Sequence, residues 1–234
     1  MTDTGVTHAP RHTPAPVARG VDRPVNAPAR ALLLCGVVAG PLFLLLIVGQ
    51  AMSRDGFDAR RHPLSMLSLG EYGWIQTANF LVCGLLILAS VVGLRRTLEP
   101  KTPGRAWGTW LLGVYGASLI WAGVFPTDPA DGYPPGTPGG LPAQVSWHGL
   151  LHNLAPLGMG LALSVACLVF ARRFARDGQR GWVLYSVLAP AAYLVLGFAA
   201  FPAQDYRLML AGGGIIWTWA AALCLKLLTE RPRP

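Results

Sequence analysis

Two histidines, His148 and His152, stand four residues apart in the stretch Trp-His-Gly-Leu-Leu-His-Asn, residues 147–153, where a long apolar run opens. On a helix that spacing stacks both imidazoles on one face. Pro156 follows closely; it has no N–H, so the carbonyl of His152 loses its usual partner one turn on. The pattern predicts a kinked helix start that gathers two imidazoles, a free carbonyl and Asn153 within one turn.

Four chemistries fit such a pair. With a third ligand from elsewhere, histidines at i and i+4 suit zinc or another divalent ion. Asp128, Asp131, His62, Glu71 and Asp205 are the candidates for that ligand. Asp128 leads them, because Pro126 and Pro129 fix the chain on both sides of it. There is no glutamate after the first histidine, so the pattern is not the one zinc proteases use. Without metal, the pair can act as acid and base beside an aspartate or titrate as a pH sensor. The fourth reading is plain hydrogen bonding to a neighbouring helix or loop.

The elements that must position these residues are set by composition. The chain has 234 residues, of which 53% are apolar and 13% charged. Its mean hydropathy is +0.43. The apolar residues fall into six blocks: 31–52, 74–94, 106–125, 148–171, 182–201 and 208–228. Each is close to the roughly 20 residues a helix needs to cross a bilayer. Lys226, near an end, is the only Asp, Glu, Lys or Arg within them. The blocks are continuously apolar rather than alternating, which excludes a strand barrel. The sequence therefore predicts an all-α, polytopic membrane protein, a six-helix transmembrane bundle over residues 31–228. The first block exceeds a signal-peptide core, and no small-x-small site follows Gln50-Ala51-Met52, so it reads as a retained helix.

Charge orients the bundle. One set of flanking segments carries fifteen of the nineteen basic residues, in the groups Arg11–Arg30, Arg95–Arg105, Arg172–Arg180 and Lys226–Arg233. The other set carries only Arg54, Arg60, Arg61 and Arg207. Basic residues stay inside, so both termini are expected in the cytoplasm and the bundle in the plasma membrane. The net charge of +8 is then a topology signal. No folded soluble domain carries a basic patch, which excludes a nucleic-acid partner; membrane lipids are the expected one. Residues 1–30 hold five prolines, four arginines and no aromatic residue, the composition of a disordered tail; 229–234 form a second short tail. The four cysteines lie within helices and predict no disulfide framework.

The expected outer loops are chemically distinct. Residues 53–73 are too long for a simple turn. Residues 126–147 hold six prolines, four glycines and two aspartates, which leaves an irregular lid and a floppy loop both open. The third and fifth blocks each end in Phe-Pro with an aspartate just beyond, Asp128 and Asp205. Within the blocks, Gln76, Asn79, Ser118, Ser186, Tyr193 and Thr218 are the polar side chains singled out. Gly36-xxx-Gly40 and Gly212-Gly213-Gly214 mark close helix approach.

Several of these stretches carry a family resemblance. His62-Pro63-Leu64-Ser65-Met66-Leu67-Ser68-Leu69-Gly70, Trp74, Asn79-Phe80, Gly84, Gly123-Val124-Phe125-Pro126-Thr127-Asp128 and His148-Gly-Leu-Leu-His152 occur in that order. Over about Ala31–Leu228 the chain resembles the bacterial integral membrane proteins of domain-of-unknown-function family 998, which implies six helices and no stated activity. A looser likeness is to membrane hydrolases such as alkaline ceramidases. It implies a serine (Ser65 or Ser68), Asp128 and the histidine pair around zinc. Those proteins have seven helices and carry the pair on the last.

Three functions follow as expectations. The first is metal-assisted hydrolysis of a lipid or other hydrophobic substrate, with His148, His152 and Asp128 holding the ion. The second is isomerisation or cyclisation of an isoprenoid, with Asp128 as the acid and no metal. The third is a non-enzymatic binding or transport module with Gln76, Asn79 and Tyr193 lining its cavity.

Overall fold

Asn26 starts the first helix: its side-chain oxygen accepts the N–H of Ala29 at 2.9 Å, and Pro28 occupies the first turn, where no N–H is missed. The computed structural model describes residues 25–98, 100, 102, 104–142 and 144–230. Residues 1–24 of the expected tail, Lys101 and residues 231–234 lie outside the described residues. Helix α1 (Ala27–Ser53) thus takes in the last residues read as tail. It is followed by α2 (Gly73–Thr97), α3 (Arg105–Val124), α4 (Trp147–His152), α5 (Ala155–Arg176), α6 (Arg180–Ala203) and α7 (Arg207–Thr229). No strand occurs among the described residues.

Each apolar block became a helix, and the fourth became two. Asn153 and Leu154 break it, and α5 restarts with Pro156 in its first turn. Five spans are long and apolar enough to cross a membrane, counting α4 and α5 together. Helix α3 is not among them; its tryptophans and glycines dilute its hydropathy. It nonetheless packs between α2 and α5 as one of six long helices in a membrane bundle.

The long helices form a closed ring: α1, α2, α3, α5, α6 and α7 pack side by side in that order, and α7 returns to α1. Lipid does not drive helices together by hydrophobicity, so close approach at small residues must. A Cβ on Gly40 would lie 2.7 Å from the carbonyl oxygen of Trp217 on α7, and one on Gly84 equally close to that of Gly116 on α3. The ring's outer surface is apolar, with Leu45, Leu85, Leu161, Val195 and Phe198 exposed. Exposed Trp107 and Trp110 mark one end, and Trp74, Trp121 and Trp147 the other, as interfacial belts do.

The two halves of the ring interior differ. Toward the end with the short connections, Leu33, Leu94, Phe170, Phe174, Trp219, Leu223 and Leu227 are all fully buried and pack its interior. Trp219 satisfies its indole N–H on Ser186 Oγ at 2.9 Å. Lys226 is held there by Glu230 at 3.1 Å and lies over the rings of Phe174 and Trp182.

Toward the long-loop end, the three connections lock together. His62 Nδ1 accepts the N–H of Asp58, so its Nε2 carries the proton and donates to the carbonyl of Asp131. Phe57, His62 and Tyr133 stack mutually at 5.3–5.5 Å. Tyr206 N–H donates to the carbonyl of Arg60. The proline-rich segment thus packs on the first connection, and the three connections together make a lid.

Candidate functional site

The histidine pair grips the end of α3. Ser146 caps α4, its hydroxyl accepting Gly149 N–H at 3.0 Å, and Asp128 Oδ2 accepts Ser146 N–H at 3.0 Å. His148 Nδ1 lies 2.9 Å from the carbonyl oxygen of Pro126 and 4.0 Å from Asp128 Oδ1. One turn deeper, His152 Nδ1 lies 2.7 Å from the carbonyl oxygen of Phe125. A carbonyl only accepts, so His152 donates from Nδ1, while His148 Nδ1 also lies 2.9 Å from the Ser146 hydroxyl. Trp121 Nε1 adds a bond to Leu151 O at 2.7 Å. The carbonyls the histidines meet belong to Phe125, which caps α3, and to Pro126 just beyond it.

This arrangement leaves each Nε2 free, the state in which histidines bind metals or ligands. Among the described residues, however, no three of His, Cys, Asp and Glu converge as a metal group. His62 in particular has both ring nitrogens engaged.

Below the lid the ring holds a partly open cavity of about 290 Å³, at the small end of ligand pockets. Phe43, Ile47, Phe80, Met159, Leu163, Ile216 and Trp217 make its apolar walls, and Ser65, Gln76, His152, Asn153, Tyr193 and Tyr206 its polar points. No charged residue lines it. His152 is 3% exposed and faces this space, whereas His148 and Asp128 do not line it.

The expected site residues therefore divide. Ser65, Gln76, Tyr193 and His152 come together around the cavity. Asp128 and His148 form the strap above it. Ser68 spends its hydroxyl on the carbonyl of Ser65 at 2.7 Å. Asn79 turns into the α1–α2 seam, donating to Phe43 O at 3.2 Å, and lines a shallow lipid-facing groove with Leu46, Trp74 and Val82. Ser186 and Thr218 serve helix contacts, Thr218 lying 3.3 Å from Tyr185 Oη.

Sequence reasoning passed over Gln50, Arg54 and Tyr206. Gln50 Nε2 donates to Gln76 Oε1 at 2.8 Å, and Arg54 donates to Gln50 Oε1 at 2.9 Å. The glutamine inside the first apolar block was the available signal. Outside the spans, two groups titrate away from their ordinary values. The guanidinium of Arg207 holds the Asp205 carboxyl below the usual range, and burial pushes the Tyr133 phenol up.

A family model described as proteins of unknown function, DUF998, matches residues 37–226. No curated protein matches, so the likeness to alkaline ceramidases gains no support, and no solved structure matches.

Proposed function

The chain belongs to the DUF998 family, and we propose that it is a non-enzymatic binding module for a lipid-like molecule held in the cavity beneath the lid. One observation carries this reading: a single apolar, uncharged cavity collects the otherwise unrelated polar groups Ser65, Gln76, His152 and Tyr193. Ligand sites pair apolar walls with a few orienting polar atoms. His152 Nε2 and the hydroxyls of Ser65 and Tyr193 make no hydrogen bond to other described residues, so an occupant can use them. The packed short-loop half favours binding over passage through the bundle.

The enzyme readings have less support. Metal-assisted hydrolysis needs His148, His152 and Asp128 to converge on one ion, and no such group of three is found among the described residues. Acid-initiated isoprenoid chemistry needs Asp128 at the cavity, where it is not. The excess of arginine at the short-loop end supports a plasma-membrane orientation with that end and both termini in the cytoplasm.

The test is mass spectrometry of lipids that survive purification, comparing the natural chain with Met159→Trp, which fills the cavity. The wild type should retain a lipid class that the variant loses while both keep the same cooperative melt. Equal retention by two folded proteins would overturn the reading.

A further inference from the structure

We propose that the cleft beside the cavity seats a phosphate head group, which makes the occupant a phosphate-headed amphiphile; this rests on the ligand reading above. The cleft, of about 450 Å³, is lined by Arg60, Arg61, Asp131, Phe201, Gln204 and Tyr206. Phe201 and Tyr206 also line the cavity, so their rings, 6.1 Å apart and edge to face, are a shared wall. A molecule across that wall has its head among arginines and its tail among apolar side chains.

The four arginines at this end are not equivalent. Arg54 donates to Gln50 and to the carbonyl of Tyr72. Arg207 is paired with Asp205 through several bonds. Arg60 and Arg61 are exposed, and neither makes a side-chain hydrogen bond or salt bridge among the described residues.

Their backbone is nevertheless fixed. Asp58 accepts the N–H of Arg60 on its carboxylate and that of Arg61 on its carbonyl, and the Arg60 carbonyl accepts from Tyr206. Two guanidiniums held on an ordered strap match the oxygens of a phosphate, each presenting a planar fork of donors. Asp131 is the one carboxylate in the lining and bridges to neither arginine. Among the lining side chains the two arginines outnumber Asp131, and the neighbouring Asp205 is already engaged by Arg207.

The test uses delipidated protein in nonionic detergent, with dodecyl phosphate, dodecanol and inorganic phosphate as probes. The wild type should bind dodecyl phosphate at least tenfold more tightly than dodecanol. A double variant, Arg60→Gln with Arg61→Gln, should erase that ratio and leave dodecanol binding and the melt unchanged. A ratio near one in the wild type, or one preserved in the double variant, overturns the head-group assignment while dodecanol binding keeps the cavity reading alive. If neither amphiphile binds, the cavity reading fails with it. Inorganic phosphate binding as tightly as dodecyl phosphate would make this a free-anion site unconnected to the cavity, which also overturns the proposal.

Discussion

Gln50 Nε2 donates to Gln76 Oε1 at 2.8 Å across the α1–α2 seam, and a cation one turn away sets the direction of that bond. The Arg54 guanidinium can only donate, so Gln50 must offer it Oε1. The Leu46 carbonyl, 3.0 Å from Gln50 Nε2, can only accept and fixes the same orientation. Gln76 must therefore present Oε1 to the seam, and its Nε2 stays buried without a partner at the cavity wall.

Removing the middle of this chain should strand both ends. Gln50→Leu leaves Gln76 Oε1 with only the long contact from Asn79, and costs Arg54 an acceptor. A loss of about 1–3 kcal/mol is expected, the usual cost of an unsatisfied buried polar group. Thermal unfolding in detergent measures it, and a wild-type melt for Gln50→Leu would refute the directional chain.

The two histidines should differ in structural weight. His152 is buried, bonded to Phe125 O and packed near Phe80 with ring centroids 6.3 Å apart. The His148 side chain is 33% exposed. His152→Ala should lower stability by about 1–3 kcal/mol and His148→Ala by under about 1. Equal melts for the two variants would contradict the burial argument.

Gly149 has no room for a side chain. A Cβ there would run into the Asp128 carboxylate. Gly149→Ala should separate Asp128 from the Ser146 N–H and cost about 1–3 kcal/mol by overpacking. Asp128→Asn keeps an acceptor oxygen and should cost less. The order of the two melting temperatures is the measurement.

Metal content separates the binding reading from the hydrolytic one. Purified protein should carry well under one zinc per chain, and a chelator should leave its melt unchanged. Stoichiometric zinc that disappears when His148→Ala and His152→Ala are combined would restore the metal-assisted reading.

Acid should weaken the α6–α7 turn. Arg207 depresses the Asp205 carboxyl in the folded chain. A carboxyl lowered on folding contributes stability above its unfolded value, near about 4, and loses it as pH falls through the folded one. Asp205→Asn should therefore flatten the acid limb of stability below about pH 4 and change little at neutrality. A full acid limb in that variant would assign the loss elsewhere.

The bundle was legible because its physics is local. A backbone in hydrocarbon must satisfy its own hydrogen bonds, so each apolar block of about 20 residues is committed to helix before it meets a neighbour. Lys226 near a helix end and the tryptophans near the block boundaries followed from the same solvent argument. The break at Asn153–Leu154 was foreshadowed by Pro156, although not its outcome as two helices.

The site was only half legible, and the reason is distance along the chain. The i,i+4 spacing of His148 and His152 places both on one helical face. Nothing in it says that each Nδ1 goes to a carbonyl at the end of α3, more than twenty residues earlier, or that only His152 reaches the cavity. Gln76 and Tyr193 were visible as polar residues in apolar surroundings, but so was Asn79, which turned into the seam. Composition alone decided that this chain is a set of apolar helices. Closing them into a ring decided which polar groups share one cavity, because that depends on the rotation of each helix and on long-range packing that no local pattern encodes.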